Sequence, residues 1–190
     1  MRRSGCNPLL ELRTRTESRM DEFDPLVNAY RTRASSSVAS RLSVLMDLVR
    51  SGDARVVPFL LNVLADPHET EKVRIYALKQ LKNAYGLVAP ADRPAAANAA
   101  RHALVESSHA ELRIQAALTL GDFTDMGGVL AGLSAVCLAE YESIDLRYTA
   151  FTSLEQAGPT PECIALLRQI TADETLGLLA QGVLSAWHIE

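Results

Sequence analysis

Val73-Arg74-Ile75-Tyr76-Ala77-Leu78-Lys79-Gln80-Leu81 decides how this chain is read, because its nine-residue pattern returns three more times. It reappears as Leu112-Arg113-Ile114-Gln115-Ala116-Ala117-Leu118-Thr119-Leu120 and as Leu146-Arg147-Tyr148-Thr149-Ala150-Phe151-Thr152-Ser153-Leu154. The last copy is Leu176-Gly177-Leu178-Leu179-Ala180-Gln181-Gly182-Val183-Leu184. An aliphatic residue opens each copy, Ala follows four later, Leu closes it, and Arg stands second in all but the last. Residues i, i+4 and i+8 share one stripe of an α-helix, so the aliphatic–Ala–Leu set predicts a core-facing seam. The small Ala in its middle admits a close partner helix. The copies start 39, 34 and 30 residues apart, an irregular array of repeats.

Helix-start signals precede each seam: Thr70 with Glu71, Ser108-x-x-Glu111 as a capping box, Ser143 with Asp145, and Asp173 with Glu174. Ahead of each seam the apolar spacing predicts another helix, over about 54–65, 93–106, 126–139 and 160–170. Pro58, Pro94 and Pro161 fall in their first turns, where a missing N–H costs little. Short breaks such as Ala65-Asp66-Pro67, Gly121-Asp122 and Ala157-Gly158-Pro159 join the helices, and no segment reads convincingly as a strand.

The expected architecture is therefore all-α, with about nine to eleven helices paired as hairpins and no sheet. Residues 37–190 form the repeat domain, with Ser37 capping a helix over 38–50. Residues 1–36 are an N-terminal arm or a helical capping element. The three-four spacing of Leu9, Leu12, Thr16, Met20, Phe23, Val27 and Tyr30 favours capping, as two helices over about 8–22 and 25–33 broken at Asp24-Pro25. Residues 1–7 are expected to be disordered.

Composition narrows the class further. Aromatic residues are only 5% of the chain, which favours close-packed helices over a β-sandwich. Of 19 basic residues only Lys72, Lys79 and Lys82 are lysine, a bias read as a GC-rich bacterial genome. The net charge of −4 hides a gradient: residues 72–113 carry seven basic against three acidic residues, and 114–190 carry two against ten. That acidic half is a poor surface for a polyanion. Cys6, Cys137 and Cys163 have no metal or redox spacing and read as free thiols of a reducing compartment. No apolar run approaches the about 18 residues of a membrane span, and Met1-Arg2-Arg3-Ser4-Gly5-Cys6 is not followed by a signal-peptide core. The expected location is the cytoplasm.

Asp66-Pro67, then Val73-Arg74, Ala77 and Leu81, resembles the bacterial HEAT repeat, including the shorter group named after phycobilin lyases; the resemblance covers about 53–187. It implies a right-handed α-α superhelix, or solenoid, whose second helices line a concave face. It also implies that the turn Asp and the early Arg bond to each other or to nearby backbone. Arg74, Arg113 and Arg147 match the Arg, and Asp66 matches the Asp as first candidate for Arg74. Gly177 departs from the pattern, as suits a terminal copy. The resemblance implies protein binding most often and names no ligand.

No chemistry competes with that reading. His102 and Glu106 are one turn apart, but no second pair converges on them for a metal. Asp122, Asp125, Glu140, Glu142 and Asp145 read as an acidic turn cluster, ordinarily a solvated face. Gly127-Gly128 is a bend at a helix start, not a phosphate loop. No nucleophile–base pair, cofactor or metal site is predicted, so the chain is expected to be a non-enzymatic scaffold or adaptor that binds a protein partner. The candidate partner residues are Lys72, Tyr76, Lys79, Lys82, Gln115, Tyr148, Thr149 and Thr152. A nucleic-acid binder is the first alternative, suggested by the lysines around Tyr76. The aligned later positions Glu111, Asp145 and Thr175 do not continue that stripe. A lyase-like helper handling a chromophore or cofactor is the second. Trp187 reads as a plug over the terminal core.

Overall fold

The computed structural model describes residues 22–32, 37–82 and 86–189. The expected helix over 8–22 and the segment 1–7, expected to be disordered, lie outside them, apart from Glu22 at the helix end. Among the described residues there are ten α-helices and no strand. They are α1 (Phe23–Thr32), α2 (Val38–Ser51), α3 (Val56–Ala65), α4 (Glu71–Leu81), α5 (Arg93–Glu106), α6 (Ala110–Leu120), α7 (Val129–Leu138), α8 (Ile144–Glu155), α9 (Pro161–Ile170) and α10 (Gly177–Ala186). The chain forms two compact units, residues 1–59 and 60–190.

In the first unit α1 packs on α2. The second of the two helices expected around Asp24-Pro25 starts at Phe23, and its separation from the first lies outside the described residues. The proline lies in the first turn, where no intrahelical donor is lost. Phe23 and Tyr30 meet Phe59 edge-to-face, with ring centroids 6.4 and 5.3 Å apart. The Arg55 guanidinium stacks 4.2 Å over Phe23 and bonds Asp24 at 3.1 Å and Asp53 at 2.8 Å. The Arg55 contact holds the Asp53 carboxyl below its ordinary range. Ser37 caps α2 by accepting the Ser40 amide at 3.3 Å, and Gly52 closes it in the left-handed region at φ +67°.

The second unit is built on the repeated seam. Ala77, Ala116, Ala150 and Ala180 are buried, as are Leu81, Leu120, Leu154 and Leu184. Burying one such leucine contributes roughly 1.5–3 kcal/mol. Helices α5 and α6, both alanine-rich on their buried faces, pack on each other, as do α7 and α8, and α9 and α10. First helices also run beside first helices (α5, α7, α9), and second beside second (α4, α6, α8).

Three helix starts differ from the sequence reading. Helix α10 begins only at Gly177, with Leu176 at its N-cap, while Asp173 accepts the Thr175 and Leu176 amides in the turn before it. Thr70 is the N-cap of α4, but its side chain caps nothing and its hydroxyl instead lies 3.3 Å from Glu69. The Ser108–Glu111 box does not form. Ser107 Oγ accepts the His109 amide at 3.1 Å, the chain turns one residue earlier, and α6 starts after His109. Ser143 caps α8 as expected, accepting from the Leu146 amide at 3.3 Å.

Candidate functional site

The repeat arginines tie three of the second helices, α4, α6 and α8, to the first helices of their hairpins. Each Nε donates to a carbonyl at the end of the first helix of its own hairpin: Arg74 to Leu64 at 2.9 Å, Arg113 to Leu104 at 2.7 Å, Arg147 to Cys137 at 2.8 Å. These carbonyls are helix-end acceptors with no partner inside the helix. The rest of the guanidinium reaches forward. Arg113 forms a two-pronged pair with Glu142 at 2.7 and 2.6 Å, and Arg147 bonds Asp173 at 2.5 Å. Asp66 is not the partner of Arg74. It has turned inward on its own loop, where Oδ1 accepts the His68 amide at 2.9 Å.

Burial raises the Asp173 carboxyl, but the Leu176 and Thr175 amides and Arg147 outweigh this and hold it below its ordinary range. The Glu142 bond raises Arg113. Burial pushes the Cys137 thiol up to about 12 and Cys163 to about 11, so both are inert thiols packed against helix carbonyls.

With the arginine anchored, the residue after it and the one four further on point outward. That stripe is Ile75 and Lys79 on α4, Ile114 and Leu118 on α6, and Tyr148 and Thr152 on α8. Ile75 and Ile114 are half-buried, while Leu118 and Tyr148 are exposed. Since α4, α6 and α8 run side by side, these residues make one largely apolar row across three helices.

The predicted partner residues divide across this geometry. Lys72, Lys79 and Thr152 are exposed, Tyr148 is 42% exposed, and Tyr76, Lys82 and Thr149 are half-buried. Thr149 and Thr152 return their hydroxyls to the carbonyls of Asp145 and Tyr148. Gln115 is only 8% exposed and is corrected from partner-binding to structural. Its Nε2 lies 3.4 Å from Thr119 Oγ1, which in turn lies 3.3 Å from the Leu78 carbonyl of α4. The position two after the arginine faces the preceding second helix, so in α6 it belongs to the α4–α6 seam. Sequence reasoning missed Ile75, Ile114 and Leu118. Aligning the four copies reveals Ile75 and Ile114, because the residue after the arginine position is apolar in every copy, ending with Leu178, 82% exposed. Leu118 has Lys79, Thr152 and Gly182 at its place in the other copies.

The five acids read as one cluster separate. Asp122 and Asp125 lie at the start of the α7 hairpin, where Arg93 bonds the Asp122 carbonyl at 3.2 Å and the Asp125 carboxylate at 2.5 Å. Glu140, Glu142 and Asp145 lie at the other end of α7, about 15 Å away. Among the described residues no group of three His, Cys, Asp or Glu is placed to hold a metal ion. Trp187 is half-buried at the end of α10. No helix among the described residues is long and apolar enough to cross a membrane. No family model matches the sequence. No curated protein matches it either.

Proposed function

We propose that this protein is a non-catalytic scaffold or adaptor that holds a protein partner on the outer faces of its second helices. The carrying observation is the row across α4, α6 and α8 of half-buried Ile75 and Ile114 with exposed Leu118 and Tyr148. Exposed apolar area of this kind, rimmed by Lys79 and Thr152, has the makeup of a protein interface. In the HEAT-like reading the hairpins coil into a right-handed solenoid and this row lies on its concave side. Two of the three arginine ties support such stacking, since Arg113 and Arg147 each bind one hairpin to the next. A cytoplasmic location is supported by the buried free thiols Cys137 and Cys163.

The test is affinity capture from the native host with the wild type and a Leu118→Ser/Tyr148→Ser variant. The expected result is a stoichiometric protein recovered by the wild type and lost from the variant, whose thermal midpoint stays the same. Undiminished capture by the variant overturns the assignment of the row. Recovery of nucleic acid that washes off steeply with salt overturns the protein-partner reading.

A further inference from the structure

A second surface of residues 60–190 combines charge with exposed apolar groups. The turns joining first to second helices all lie at one end, as the side-by-side order of α5, α7, α9 and of α4, α6, α8 requires. Side chains cross from turn to turn: Glu71 Oε2 lies 3.8 Å from His109 Nδ1, Arg113 reaches Glu142, and Arg147 reaches Asp173. The turns therefore form one continuous edge. Cut at the same repeat position, residues 65–72, 105–111, 138–145 and 171–175 hold ten acidic residues against one cation, Lys72.

Acids in first turns complement the helix dipole, which accounts for Glu71, Glu111 and Asp145. It does not account for the apolar side chains standing among them. Tyr141 is 89% exposed and Val105 is 67% exposed, with Ile144 and Leu138 also exposed. Val105 and Leu138 occupy equivalent places, each following the residue whose carbonyl binds a repeat arginine. Large apolar groups set repeatedly on the most acidic edge need a partner that satisfies both.

We propose that this edge docks a basic amphipathic segment of another protein. Its aliphatic side chains cover Val105, Tyr141 and Ile144, and its Lys or Arg side chains meet Glu106, Glu140 and Asp145. Charge complementarity selects this occupant. A polyanion is repelled, and an uncharged apolar segment leaves carboxylates desolvated without partners. The edge goes beyond the second-helix row, because variants here leave Leu118 and Tyr148 untouched. Failure of either surface leaves the other standing.

The test is fluorescence anisotropy on the full chain with a labelled helical peptide of Leu, Lys and Arg in amphipathic order. A scrambled peptide of the same composition is the control. The amphipathic peptide is expected to bind about tenfold more tightly than the scrambled one, the effect of a single well-placed anchor. Tyr141→Ser/Val105→Ser removes most of that difference with an unchanged thermal midpoint. If that pair disturbs folding, Tyr141→Ser alone, on an exposed turn, carries the same expectation. Glu140→Gln/Asp145→Asn weakens both peptides and flattens the salt dependence. Absence of binding, equal binding of the two peptides, or undiminished discrimination in the Tyr141 variant overturns the proposal.

Discussion

The hairpins α5–α6 and α7–α8 are tied to the next hairpin through an arginine, whereas α9–α10 is closed by backbone packed on backbone. Arg113 and Arg147 each bond backward to a helix-end carbonyl and forward to a carboxylate. Gly177 takes the same place in α10, and a Cβ there meets the Thr171 carbonyl oxygen at 2.6 Å. One position in the repeat thus takes two forms. In two hairpins a guanidinium spans the gap and meets an orphan carbonyl at the first helix's end, and in the last the backbone comes so close that only glycine fits. The arginine route leaves a hand free for the following hairpin, and the glycine route does not.

The largest effect is expected where the tie is most buried. Arg147→Ala leaves Asp173 Oδ2 and the Cys137 carbonyl without their arginine donor in a site almost sealed from solvent, and costs about 3–5 kcal/mol by chemical denaturation. A loss below about 1 kcal/mol removes Arg147 from the stacking scheme. Gly177→Ala follows, at about 1–3 kcal/mol, because the obstacle is backbone oxygen that cannot swing aside. An unchanged melting temperature shows that α10 has room to retreat.

Arg113 and Arg74 sharpen the comparison. Arg113→Ala loses a carbonyl bond and a half-buried two-pronged pair, Arg74→Ala the carbonyl bond alone. The expected costs are about 2 and about 1 kcal/mol. The reverse order removes the forward carboxylate as the distinguishing element. The smallest effect concerns pH. Asp173 has a lowered pKa in the folded state, so its stabilisation is present above the ordinary carboxylate value of about 3.9 and is lost as pH falls below it. Asp173→Asn is expected to flatten the acid limb of the stability curve and to leave its shape near neutrality unchanged. An acid limb as steep as that of the wild type assigns the acid sensitivity elsewhere.

How legible each feature was depends on the range of the interaction behind it. The seam is a matter of period within one helix, so Ala77 to Leu184 were readable as buried residues from the spacing alone. The arginine ties were readable as a kind through the resemblance to the HEAT repeat, which implies a turn or backbone acceptor for the early Arg. Their partners were not, because Glu142 and Asp173 lie 29 and 26 residues away and at different places in their turns. Gln115 failed for a similar reason. Its helix phase is one residue from an outward position, and whether that phase is covered depends on the neighbouring α4.

The sequence by itself determined the helical class, the number of hairpins in 60–190, the buried stripe of each second helix and the free thiols Cys137 and Cys163. These follow from periodicity and local chemistry, which act within a few turns of chain. Tertiary structure alone decided that Asp66 serves its own turn, that Gln115 is interior, and that Ile75, Ile114, Leu118 and Tyr148 share one row. It alone decided that ten acids scattered over four turns share one edge. A one-dimensional pattern sets which stripe of each helix turns inward. Only packing sets which of the remaining stripes a neighbour covers.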